Sequence, residues 1–203
     1  KTYRKYLMGR DFNRYTFKLE KERWISYGDW LAEPRYKAPF NDEKKIIVRQ
    51  TADTIIAHID KEKNLSLKNV HNLRITFNNL SYEYLLGLLN SKLLGWWYQH
   101  LIPEKGRVFA EVKVVNLGKI PIRTIDFKNP SEKAIHDKLV SLVDRMIELH
   151  KKKNAMPPSA EREKGEREIA VIDEKIDEIV YGLYGMTDEE RKMCYTIKPS
   201  YQS

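Results

Sequence analysis

An apolar stretch in the middle of the chain, Tyr84–Tyr98, most strongly limits the folds open to this sequence. Eight of its residues are leucine or tryptophan, and Lys92 is its one charged residue. A helix with so little polar surface has to be buried against other elements. Gly87 and Gly95 would each cost about 1 kcal/mol relative to alanine inside a helix. We therefore predict a single central helix, closely packed at both glycines.

The segments around this helix predict short strands. Alternating apolar and polar residues indicate them, with turn residues between them. The strands are expected over Arg14–Leu19, on either side of the turn Thr51–Asp53 within Ile46–Asp60, over Val70–Phe77, and after the central helix over Val108–Val115. Ser81 is the expected N-cap of the central helix, because a hydroxyl there can accept a bond from a free backbone N–H.

Two long amphipathic helices follow. The first is expected from a Ser131 cap to about Lys153, and the second from Glu161 to Tyr184, each with an apolar stripe at three- and four-residue spacing. A short loop between them predicts an antiparallel hairpin. Gly185 fits the end of the second helix. The predicted fold is α+β, with a small-sheet and helix domain over residues 1–130 and a helical hairpin over 131–203.

Charge divides the chain at the same place. Residues 1–130 hold 24 Lys and Arg against 14 Asp and Glu, a net charge of +10, whereas 131–203 hold 13 and 15, a net charge of −2. A basic domain favours a polyanionic partner, and the helical segment favours a protein partner.

The sequence also limits the protein's location. No apolar run approaches the ~18 residues of a membrane span, so no membrane partner is expected. A single cysteine, Cys194, fits a buried thiol in a reducing, cytoplasmic environment. The chain begins at Lys1, and we expect it to be part of a longer protein.

Common catalytic and metal-binding signatures do not occur in the sequence. It has no phosphate-binding glycine loop, no zinc-spaced Cys/His set and no paired His–Ser or His–Cys arrangement. Asp173, Glu174, Asp177 and Glu178 are expected on a solvated helix face rather than at a metal ion.

Basic and amide side chains near turns are the remaining candidates for chemistry. Arginine and lysine neutralise phosphates, and Arg, Asn and Gln can also bind base edges through two hydrogen bonds. The candidate DNA-binding residues are Arg49, Gln50, Arg74, Asn78, Asn79, Lys105, Arg107 and Lys113.

Five segments, in order, resemble the C-terminal target-recognition domain of TaqI-like adenine-N6 DNA methyltransferases. The domain also occurs in type IIG restriction-modification enzymes and is related to type I specificity subunits. The segments are GRDFNRY from Gly9, IIVRQTADTIIAHID from Ile46, LLGLLNSKLLGWWY with its Leu89-Asn90-Ser91 core, KIPI from Lys119, and the helical pair LVDRMIELHKKK and VIDEKIDEIVYGLYGMTDEE. KIPI resembles the closing strand of the domain, so the resemblance implies a strand over Lys119–Ile122.

The resemblance implies a sequence-specific reader of double-stranded DNA without activity of its own. The Asn-Pro-Pro-Tyr type motif of the catalytic domain does not occur here. The resemblance therefore assigns S-adenosylmethionine and methyl transfer to a catalytic methyltransferase domain or subunit that is absent from this fragment. It leaves open whether the parent protein also has endonuclease activity. Two alternatives stay open: a protein-interaction module whose hairpin couples subunits, and an enzyme of unrecognised type.

Overall fold

The structure, a computed structural model, describes residues 2–76, 80–101 and 110–195. Over these residues, short strands in small sheets precede a set of helices, which confirms the predicted α+β class. The strands are β1 Thr2–Leu7, β2 Phe12–Asn13, β3 Thr16–Phe17, β4 Trp24–Tyr27, β5 Lys45–Arg49, β6 Ala57–Asp60, β7 Leu65–Ser66 and β8 Val70–Leu73. The helices are α1 Tyr82–Leu89, α2 Lys92–Leu101, α3 Val114–Leu117, α4 Pro130–Ala155, α5 Ala160–Leu183 and α6 Asp188–Cys194.

Strand β5 is the centre of the sheet part. It pairs in antiparallel fashion with β6 on one side and β8 on the other. Its side chains alternate between two apolar clusters, with Ile46 and Val48 in the main core and Ile47 in a smaller cluster with Phe12. Burial on both faces explains its continuous apolar run. A second sheet has the order β4-β1-β7, and β2 and β3 form a small hairpin.

The central apolar stretch forms two helices, so the prediction of a single helix was wrong. Helix α1 ends at Leu89 and α2 begins at Lys92. The side chain of Ser91 donates to the Leu88 carbonyl at 2.7 Å and accepts from the Leu94 N–H at 3.2 Å. It therefore caps both helices at the break. The predicted Ser81 cap is confirmed by its bond from the Tyr84 N–H at 3.1 Å.

The close approach predicted at the two glycines is also confirmed. A Cβ atom at Gly87 would lie 3.0 Å from Val143 and 3.1 Å from Leu139, both on α4. A Cβ atom at Gly95 would lie 3.0 Å from the Thr54 hydroxyl. Helix α1 therefore packs directly on α4, because glycine removes the side chain that would separate their backbones.

Helices α4 and α5 form the predicted hairpin. Helix α4 starts one residue before the expected Ser131 cap, because Asn129 is the N-cap and accepts bonds from the Ser131 and Glu132 N–H groups. Pro130 occupies the first helical position, where its missing N–H costs nothing. Gly185 has φ +65° and lies directly after the C-cap of α5, as predicted. The capping box of Thr187 and Glu190 opens α6.

The main core draws on both sides of residue 130. It includes Ile46 of β5 and Leu86 of α1 together with Val143 of α4 and Ile176 of α5. The division into functional parts at residue 130 stays a prediction, but the two parts share one apolar core.

Two predicted strands are wrong over the described residues. Within Val108–Val115, the backbone makes one isolated bridge, between Thr51 and Glu111, and then turns into α3. Lys119–Ile122 continues from the end of α3 through a turn without strand pairing. Pro121 lacks the N–H that a paired strand would need.

The other strand predictions need smaller corrections. Within Arg14–Leu19, only Thr16–Phe17 forms a strand, because the chain reverses at Tyr15 with φ +60°. In Val70–Phe77 the strand ends at Leu73, and Phe77 lies outside the described residues.

Candidate functional site

Gln50 and Lys113 are brought to one edge of the molecule, although 63 positions separate them in the sequence. The Gln50 carbonyl accepts a hydrogen bond from the Val112 N–H at 2.7 Å, and Thr51 forms a β-bridge with Glu111. The His71 ring binds the Val112 carbonyl at 2.6 Å and fixes the same segment from β8. We call Gln50, Thr51, Glu111 and Lys113 the Gln50 edge.

The Gln50 edge carries donors and acceptors suited to base recognition. Thr51, Glu111 and Lys113 are exposed, and Gln50 is half-buried. Glutamine can bind adenine through two hydrogen bonds, a carboxylate can accept from cytosine, and lysine can bind guanine or a phosphate. Thr51 and Glu111 were not among the candidates from the sequence, because only the bridge between distant segments places them beside Gln50.

Arg49 points away from open solvent. Its guanidinium donates to the Phe12 carbonyl, and its Cγ would lie 3.2 Å from a Cβ atom at Gly9. Burial lowers the pKa of Arg49 from its ordinary value. In this position the side chain holds the Gly9–Phe12 turn against the end of β5. The predicted contact of Arg49 with DNA stays a prediction.

Arg74 lies at the other end of the sheet. Strand β8 runs antiparallel to β5, so that Leu73 faces Ile46 whereas Val70 faces Arg49. At about 3.3 Å per residue, Arg74 is more than about 10 Å from the Gln50 edge. Its Nε lies 3.5 Å from the Asp42 carboxylate. The structure therefore does not group Arg74 with Gln50 and Lys113.

Four of the predicted DNA-binding residues lie outside the described residues. They are Asn78, Asn79, Lys105 and Arg107. The segment that contains Lys105 and Arg107 precedes Ala110 directly in the sequence and so leads into the Gln50 edge. Their role in binding DNA stays a prediction.

The acidic residues of α5 do not all lie on a solvated face, which corrects the expectation for Asp177. Asp177 is buried, and its carboxylate lies 2.9 Å from Lys92 Nζ and accepts from the Lys92 N–H at 2.8 Å. Burial raises the pKa of Asp177, and the bonds from Lys92 offset this in part. Asp173 forms a two-point ion pair with Arg14, with distances of 2.6 and 3.2 Å. These pairs attach α5 to α2 and to the β2–β3 hairpin.

The part of the chain that the structure describes holds neither a candidate metal site nor a candidate membrane span. There, no three His, Cys, Asp or Glu side chains lie together in a way that could hold a metal ion. None of the helices within the same residues combines the length and the apolar composition of a membrane span. The expectation that Cys194 is buried is confirmed.

The family model for the TaqI-like C-terminal specificity domain matches residues 4–122. This range is more than half of the chain and runs from β1 to the segment after α3. The chain belongs to this family. It is a restriction-modification specificity domain, and the matched range contains the whole Gln50 edge. Helices α4 and α5 follow the matched range and pack against it.

Two curated relatives have names that agree with the family. The type II methyltransferase M.HindII of Haemophilus influenzae is 28% identical over 152 residues, which cover 68% of this chain and 28% of that relative. The type II methyltransferase M.HincII of Haemophilus influenzae is 39% identical over 69 residues, which cover 33% of this chain and 13% of that relative. The chain thus spans less than a third of the curated relatives it matches.

Proposed function

We propose that this specificity domain binds double-stranded DNA at a particular sequence and directs an adenine-N6 methyltransferase to it. The observation that carries the proposal is the Gln50 edge, which joins an amide, a carboxylate and an ammonium group within the range that matches the family. The net charge of +10 over residues 1–130 supports a polyanionic ligand.

The chemical step would belong to another part of a longer protein or to a separate subunit. That catalytic methyltransferase would hold S-adenosylmethionine and extrude the target adenine, which costs a few kcal/mol. Binding of this chain to the flanking duplex would offset the cost and select the site. The relatives named as methyltransferases are more than three times as long as the segments they share with this chain, which supports such a division of roles.

The first test is fluorescence anisotropy of the chain with labelled random-sequence duplex DNA over a series of salt concentrations. The logarithm of the binding constant should fall with the logarithm of salt, with a slope of about −0.9 for each phosphate neutralised. Selection from the random pool should then yield a preferred sequence. Replacement of Gln50 by alanine should relax the preference at one base pair by about tenfold.

A matched pair of triple variants locates the interface. Replacing Lys105, Arg107 and Lys113 by alanine should reduce the salt slope by up to about 3. The control replaces three exposed lysines of the hairpin, Lys138, Lys164 and Lys175. It removes the same charge and should leave the slope nearly unchanged. Equal losses in both variants would contradict the placement of the interface.

Absence of DNA binding at low salt would contradict the proposed function. It would favour the alternative hypothesis, in which the helical hairpin couples subunits. In that case the chain should associate with a partner through α4 and α5, which size-exclusion chromatography with light scattering would detect.

A further inference from the structure

Strands β1 and β4 form a ribbon with one aromatic face. Their antiparallel register places Tyr3 opposite Ser26 and Lys5 opposite Trp24. Residues that face each other across strands project to the same side, as do residues two apart along a strand. Tyr3, Lys5, Trp24 and Ser26 therefore share one face of the ribbon.

A third ring joins this face. A Cβ atom at Gly28 would lie 2.3 Å from the Trp30 ring, so the ring covers the position that a side chain at residue 28 would occupy. Gly28 follows Ser26 by two positions and lies directly after the end of β4 at Tyr27. The Trp30 Nε1 also donates to the Ser26 carbonyl at 3.1 Å. We call Tyr3, Trp24 and Trp30 the aromatic face.

The three rings are open to solvent. Tyr3 is 61% exposed, Trp24 is 53% exposed and Trp30 is 61% exposed. Large aromatic side chains usually bury most of their surface, and an exposed group of them marks an interaction site. Ser26, which faces Tyr3 across the ribbon, lies two residues and thus about 6.7 Å from Trp24 along β4. This spacing leaves room for flat rings of a ligand to stack between the protein side chains and on top of them.

The charge beside the aromatic face is suited to a polyanion. Lys5 Nζ lies 5.4 Å from the centre of the Trp24 ring and pairs with Glu22. Lys18 and Lys21 are exposed in the segment that leads into β4. Over residues 2–37, nine Lys and Arg stand against five Asp and Glu. This excess of positive charge favours a polyanionic ligand over a partner with a purely apolar surface.

We propose that the aromatic face binds single-stranded nucleic acid by stacking unpaired bases on Tyr3, Trp24 and Trp30. Aromatic side chains on a sheet surface stack two or three bases in other nucleic-acid-binding folds, with basic residues tracking the backbone. This site is separate from the Gln50 edge, which is proposed to contact paired bases. Paired bases in an intact duplex do not offer their faces to side chains, so the two sites should distinguish the two forms of DNA.

The test measures binding of a fluorescently labelled oligothymidylate of about ten nucleotides, a length within the usual site size for such surfaces. Binding should quench tryptophan emission, because Trp24 and Trp30 would stack directly on bases. Replacement of Trp24 by alanine should weaken binding by at least about fivefold, as expected for the loss of one stacked base.

The matched control is Tyr195, an aromatic residue that is 57% exposed and lies beside Lys92, with the ammonium 5.1 Å from the ring centre. Tyr195→Ala should leave oligothymidylate binding unchanged. Trp24→Ala should also leave binding of random-sequence duplex nearly unchanged, whereas the Lys105, Arg107 and Lys113 triple variant should mainly weaken the duplex. Circular dichroism of each variant checks that it folds.

Three outcomes would overturn the proposal. The first is unchanged tryptophan emission with the oligothymidylate at low salt, which would assign the aromatic face to a protein partner. The second is equal weakening by Trp24→Ala and Tyr195→Ala. The third is an equal loss of duplex and single-strand affinity in Trp24→Ala, which would make the aromatic face part of the duplex interface.

Discussion

The side-chain amide of Asn90 pairs with both backbone polar groups of Ala57. Its Oδ1 accepts from the Ala57 N–H at 3.0 Å and its Nδ2 donates to the Ala57 carbonyl at 3.0 Å. Asn90 thereby acts as an extra strand residue beside β6, from a position between α1 and α2. Both partners are buried. The central Asn of the Leu89-Asn90-Ser91 motif thus joins the sheet to the helices.

Replacement of Asn90 by aspartate should destabilise the protein by about 2–3 kcal/mol. A carboxylate cannot donate to the Ala57 carbonyl, which would keep only the longer bond from the Tyr15 N–H at 3.3 Å and would face a buried negative charge. Urea denaturation followed by circular dichroism measures the free energy of unfolding. The control is Asn154→Asp, which removes two bonds made by an exposed residue to the β2–β3 hairpin. It should cost less than about 1 kcal/mol.

Removal of Lys92 should cost more stability than neutralisation of its partner. Lys92→Met leaves the buried Asp177 carboxylate without its ion pair and should cost about 3 kcal/mol. Asp177→Asn should cost less, because an amide oxygen can still accept from the Lys92 N–H. Thermal denaturation compares the two variants and the double variant. Additive losses in the double variant would show that the two side chains are not coupled.

Two helical glycines should respond in opposite ways to alanine. At Gly165 in α5, nothing lies within 4 Å of an added Cβ atom. Gly165→Ala should therefore stabilise the protein by about 0.5–1 kcal/mol. At Gly87, the added carbon would press on Val143 and Leu139, and Gly87→Ala should destabilise by about 1 kcal/mol. Stabilisation by both substitutions in chemical denaturation would contradict the close packing of α1 on α4.

The buried His58 and the half-buried His150 should make stability fall in mild acid. Burial, with smaller contributions from His150 and Lys61, lowers the pKa of His58 to about 3. Burial likewise lowers the pKa of His150 to about 4. In the unfolded chain both titrate near pH 6.5. As the pH falls from about 6.5 towards 4 and then 3, the unfolded state thus binds protons that the folded state does not bind.

The stabilisation from these neutral histidines is therefore present above about pH 6.5 and lost below it. Each histidine should contribute a slope of about 1.4 kcal/mol per pH unit within its window. Free energies of unfolding at several values between pH 7 and pH 5 measure the slope. His58→Phe should reduce the part of this slope that comes from the two histidines by about half. A profile that this substitution leaves unchanged would show that the His58 pKa is not depressed.

Local patterns in the sequence predict the regular helices well and the irregular joints poorly. The stripes of α4 and α5 follow from periodic apolar residues, and the caps at Ser81 and Thr187 follow from local chemistry. At the break between α1 and α2, Asn90 bonds to Ala57, which is 33 positions away, and no local pattern indicates that contact.

The same limit applies to the candidate site. Gln50 and Lys113 were both predicted individually as DNA-binding residues. Their shared edge depends on the backbone bond between Gln50 and Val112, and the partial burial of Arg49 depends on the turn at Phe12. Both are long-range contacts. Residue type indicates what a side chain can bind, whereas only the fold determines whether it is offered to a ligand.

The ion pair of Arg14 with Asp173 and the bonds of Asn154 to Thr16 and Phe17 span more than 130 positions of sequence. They bear on how such proteins could acquire new specificities by recombination. A crossover near residue 130 would separate each of these partners and expose the apolar surface that α1 shares with α4. An exchange that keeps β1 to α5 together would preserve them. Chimaeras between relatives should therefore fold when the helical hairpin is exchanged together with the sheet that it covers.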